Sequence, residues 1–60
     1  MKKPKVKFIG ADGNVFNLMG LATRAMRSAG QDPKPMLDEV RQQTSYDAAI
    51  VVMMKYVDVR

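Results

Sequence analysis

Asp38 and Glu39 are adjacent carboxylates of the kind that can share acid and base duties, and Thr23, Ser28, Thr44 and Ser45 carry hydroxyls that a neighbouring base could activate. General acid-base work at neutral pH most often recruits His, and the sequence has neither His nor Cys. The hydroxyls fall within helical segments or at their caps. The two carboxylates fall on the polar side of an amphipathic segment, the ordinary place for charge. The sequence therefore reads as non-enzymatic. Without Cys or His the usual structural zinc sites and any disulfide framework are excluded too, so no metal and no cofactor is expected.

The stretch Gly10-Ala11-Asp12-Gly13-Asn14, with Gly20 further on, raises a second possibility, a backbone cradle for phosphate. A Walker-type loop needs Gly-Lys-Ser/Thr after its spacer, and a dinucleotide fingerprint needs Gly-x-Gly-x-x-Gly; neither is present. Asp12 also brings negative charge to the place an anion would occupy. The stretch reads instead as a turn followed by a helix cap, with glycines supplying positive φ and Asn14 accepting from an amide of the first turn.

The third kind of chemistry is electrostatic. The formal charge is +4, but Lys2, Lys3, Lys5 and Lys7 account for all of the excess. From Phe8 onward Arg24, Arg27, Lys34, Arg41, Lys55 and Arg60 balance Asp12, Asp32, Asp38, Glu39, Asp47 and Asp58. Residues 1–4 form a basic arm and 5–60 a single small domain. Lys5, Lys7, Arg24 and Arg27 are the candidate basic patch for a nucleic-acid phosphate backbone, although no helix-turn-helix or other base-reading signature accompanies them.

The elements that would position these groups follow from periodicity. Val6 and Phe8 alternate with Lys5 and Lys7, the period of two of a strand with one buried face, so a strand is expected over residues 5–9. From Val15 the spacing becomes helical. Val15, Leu18, Met19, Ala22, Ala25, Met26 and Ala29 share a core stripe, Asn17, Leu21, Arg24 and Ser28 lie opposite, and Gly30 terminates a helix of about 14–29. Asp32, Pro33 and Pro35 start a second helix ending near Gln43, with Met36, Leu37, Val40 and Thr44 inward and Asp38, Glu39, Arg41 and Gln42 outward. Ser45 caps a third, from Tyr46 to about Tyr56, with Asp47 in its first turn and Tyr46, Ala49, Ile50, Met53 and Val57 inward. Ile50, Val51 and Val52 are β-branched and favour a strand, but the helical face is the more coherent. Val57, Asp58 and Val59 alternate again, as a short strand pairing with the first. The fold expected is α+β in the order β-α-α-α-β, a three-helix domain closed by a two-stranded sheet from its two ends. The alternative is a hairpin across Asp12-Gly13 with residues 14–18 as second strand.

The leading Val6-Lys7-Phe8-Ile9-Gly10, the Asp12-Gly13-Asn14 followed by Phe16, Leu18-Met19-Gly20, Arg24-Ala25-Met26-Arg27, Tyr46-Asp47 and the closing Met54-Lys55-Tyr56-Val57-Asp58-Val59 occur in a combination. It resembles a group of small uncharacterised bacterial and phage-borne proteins that share this order over residues 5–59. The resemblance implies no particular activity. It implies a cytoplasmic accessory role, in keeping with an apolar run, Ala48 to Met54, too short for a membrane helix.

A chain of 60 residues has little interior, and this one carries more apolar surface than it can hide. Phe16 falls off the first helix's stripe, and Ala48 and Val51 fall on the outer face of the third beside Lys55, with Met54 expected near the surface. Phe16, Val51 and Met54 are the candidate interface, for a protein partner or a second copy. Met19, Met26 and Met36 are expected to fill the core, Met54 to lie nearer the surface.

Overall fold

The computed structural model of the chain describes residues 3–8, 10 and 13–59. Its elements are strand β1 (Lys5–Val6), helices α1 (Val15–Ser28), α2 (Lys34–Arg41) and α3 (Tyr46–Tyr56), and strand β2 (Asp58–Val59). The order is β-α-α-α-β, and the two strands, one from each end of the chain, form a two-stranded sheet as expected. They run parallel, with Lys5 opposite Asp58 and Val6 opposite Val59. Parallel neighbours require a long crossover, and here all three helices supply it.

Each helix boundary has a local cause. Asn14 is extended and its Oδ1 accepts from the Phe16 amide at 2.8 Å, so α1 begins where the turn-and-cap reading places it, and the hairpin with residues 14–18 as a strand is not formed. At its far end Gly30 takes φ +76°. The Gly30 amide donates to the Arg27 carbonyl and the Gln31 amide to the Met26 carbonyl, the paired bonds of a Schellman stop that need a left-handed residue between them. Asp32 Oδ1 accepts from the Lys34 amide at 3.0 Å, with Pro33 buried just ahead of α2. Ser45 Oγ accepts from the Ala48 amide at 3.2 Å, and Asp47 lies in the first turn of α3.

The core consists of Val6, Leu18, Ala22, Met26, Met36, Val40, Ala49, Val52, Met53 and Val57, so every element but β2 contributes a buried side chain and β2 adjoins one, Val57. Met26 and Met36 fill it as expected, whereas Met19 is only half-buried.

Several expectations are corrected. The strand is two residues long rather than five; Lys7 and Phe8 continue without ladder pairing because β2 is equally short, and Ile9 lies outside the described residues, as do Ala11 and Asp12 of the turn. Ala29 caps α1 and is exposed instead of lying on the core stripe. Leu21, expected outward, is half-buried against the core, because β1 packs on that side of α1. α2 stops at Arg41, so Thr44 has left the helix and is exposed. On α3 the buried set is Ala49, Val52 and Met53, with Tyr56 half-buried, a sector turned roughly 60° from the one anticipated. The cause is that α2 as well as α1 packs against α3, pulling Val52 inward and leaving Ile50 at the margin and Tyr46 largely outside.

Candidate functional site

α3 is apolar on both sides. Val52 and Met53 are 4% and 0% exposed while their neighbours Val51 and Met54 are 58% and 50% exposed. The hydrophobic effect accounts for the first pair; among the described residues the second is left at least half exposed. On a helix Tyr46, Ile50 and Met54 succeed one another at four-residue steps, and Val51 lies one turn before Met54. They form a continuous strip up the open face of α3. Tyr46 is 48% exposed, and its hydroxyl donates to the Gly13 carbonyl, which gives the phenol the polar partner its ring does not need. That bond ties the start of α3 to the turn before α1.

Phe16, 77% exposed, stands beside this end of the strip. Together with Val15, Met19, Ala49 and Tyr46 it lines an open groove of about 480 Å³ whose far wall is the chain between α2 and α3. Phe16 does not share that groove with Val51 or Met54; Tyr46 and Ile50 connect them along α3. The three residues singled out from sequence are thus all at the surface, and Tyr46, assigned there to the core, belongs with them.

The basic residues are brought together in part. Lys5, Lys7 and Arg24 line a shallow depression of about 490 Å³ between β1 and α1, with Pro4, Leu21 and Ser28. Arg27 is turned roughly 60° from Arg24 around α1, onto the flank of Phe16 and Gly20, and is not among the lining residues. Asp58 stands in register opposite Lys5, which lowers the local positive potential.

Glu39 departs from its expected solvated position. Lys55 Nζ and the Tyr56 hydroxyl both donate to its carboxylate, the latter at 2.8 Å, joining α2 to the last turn of α3. The Lys55 hydrogen bond, and then that of Tyr56, hold the Glu39 carboxyl below its ordinary range, while Glu39 raises both Lys55 and Tyr56. A lowered carboxyl contributes stability that is present above the ordinary carboxylate range and lost as pH falls through the lowered one. Raised Lys and Tyr groups contribute stability that is present below their ordinary values and lost as pH rises through the raised ones. The urea midpoint should therefore fall on acidification more steeply in the wild type than in Glu39→Gln, which keeps an acceptor for Tyr56 but no charge for Lys55. Parallel acid limbs for the two proteins would mean that the link is not maintained in solution.

Among the described residues no group of three or more carboxylates could hold a metal ion, and no helix is long and apolar enough to cross a membrane. Compared with protein-family models, with curated proteins and with solved structures, the chain matches none of them.

Proposed function

We propose that the chain is a non-enzymatic protein-binding module whose contact surface is the strip Tyr46, Ile50, Val51 and Met54 with Phe16 at its end. The observation that carries this reading is the pair of adjacent valines on α3, one sealed in the core and one presented to water between Asp47 and Lys55, with Met54 exposed beside it. Contiguous exposed apolar groups mark places where another macromolecule sits.

A benzophenone amino acid introduced at Phe16 in bacterial cells tests the reading. Irradiation should give covalent adducts with protein, and the same probe at Gln42, exposed beyond the end of α2, should give none. The reading falls if position 16 yields no protein adduct above that control.

The convergence of Lys5, Lys7 and Arg24 favours a second reading, contact with a nucleic-acid phosphate backbone. Three phosphate contacts would give a slope of about −3 in log affinity against log salt. An apolar contact would respond little to salt, so titration with duplex DNA at two ionic strengths separates the two.

A further inference from the structure

The outer stripe of α3 has a symmetry of its own. Asp47, Val51 and Lys55 succeed one another at four-residue steps along one side of the helix. Val51 is at the midpoint, the acidic residue one turn before it, the basic residue one turn after. Small and large residues are balanced in the same way, with Ala48 three residues before Val51 and Met54 three after. Among the described residues Asp47 has no ionic partner in its own chain, and Lys55, although tied to Glu39, keeps a side chain 58% exposed.

We infer that the partner seated on this face is a second copy of the chain, with the two α3 helices antiparallel and the two-fold axis passing beside Val51. This rests on the reading above of the strip as a contact surface and names its occupant. A two-fold contact must be self-complementary: whatever residue i meets in the other copy must itself meet i. Antiparallel pairing about Val51 satisfies this. It sets Asp47 at the level of Lys55 of the second copy and Ala48 at the level of Met54 of the second copy, each twice. It also opposes the two helix dipoles. A parallel arrangement would set Asp47 against Asp47 and Lys55 against Lys55. The axis further carries Met54 of the second copy to the flank that holds Met54 and Ile50, so Val51 and Met54 of both copies share one contact, while Tyr46, about 140° round α3 from Val51, and Phe16 beside it lie outside it.

The geometry makes a sharp test because the chain contains no Cys. Helices packed about 8–10 Å apart, each with Cα atoms about 2.3 Å from its axis, bring residues that point at one another to roughly 3.4–5.4 Å between Cα atoms. The wider half of that range overlaps what a disulfide spans, about 4.4–6.8 Å. Val51→Cys should therefore form a disulfide-linked dimer under mild oxidation. Met54→Cys, equally accessible, should not, because three residues on either side of the axis separate the two Met54 positions by about 9 Å.

Sedimentation equilibrium of the wild type should show a monomer-dimer equilibrium, and Asp47→Lys should raise the dissociation constant about tenfold, two attractive pairs becoming repulsive. A strict monomer at millimolar concentration overturns the proposal, as does equal cross-linking at positions 51 and 54. Either result leaves the protein-binding reading standing if the probe at position 16 still captures a different protein. Absence of any adduct there removes that reading itself.

Discussion

Met53→Ala is expected to lower the folding stability by about 2–5 kcal/mol, the range for truncating a fully buried Met. Met53 is completely buried in the core with Met36, Val52 and Val57. A domain of 60 residues has about 3–9 kcal/mol to lose, at roughly 0.05–0.15 kcal/mol per residue. The substitution thus removes a large part of the total and leaves a population of unfolded chain measurable at room temperature. Met54→Ala, one position on and half exposed, should change stability by no more than about 0.5 kcal/mol. Urea denaturation followed by far-UV circular dichroism checks both, at a concentration low enough that any second copy is dissociated. Equal costs at the two positions would mean that α3 is rotated from the register described. The contrast is informative because a flexible thioether normally adapts to its surroundings; here two adjacent Met residues differ only in which side of one helix they occupy.

The parts of this architecture written into the sequence are those with causes a few residues away. Asn14, Ser45 and Gly30 act within one helical turn, so they could be read as boundaries before any tertiary contact was known, and the apolar spacing from Val15 onward left little choice of face for α1. Phe16, Val51 and Met54 were legible as surplus for the same reason, since their angular positions put them off the buried sectors. What could not be read was set by neighbours distant in sequence. The buried sector of α3 depends on α2 lying against it, and periodicity gives angles without saying which of them a second helix will cover; hence Tyr46, expected inward, stands largely outside, and Val52, not among the residues expected inward, is buried. Glu39 is 16 residues from Lys55 and 17 from Tyr56, with no local signal to pair them. The alternation of residues 5–9 foretold a strand but not its length, because ladder pairing ends where the partner strand ends. The patch of four cations was divided by the turn of α1 between Arg24 and Arg27, a detail of helical phase that charge counting ignores.

Val52→Asp and Val51→Asp should separate folding from contact. At Val52 the carboxylate would enter a core in which no buried polar or charged residue is present among those described, with no partner to offset its desolvation. The loss should exceed about 4 kcal/mol, enough to leave the chain largely unfolded at 25 °C by circular dichroism. At Val51 the same change adds a charge to an exposed helix position. Asp and Val have similar helix propensities, so the fold should be retained to within about 0.5 kcal/mol. Its consequence would appear only between molecules. With the two-fold axis beside Val51, two carboxylates would be forced together in the middle of an apolar contact, and self-association should be lost while the circular dichroism spectrum stays that of the wild type. If instead Val52→Asp folds normally, the buried side of α3 is not where these contacts place it, and the apolar strip on the opposite side loses its meaning as surplus. If Val51→Asp folds and still self-associates, the residue is at the surface but outside the contact, and the axis beside it is excluded.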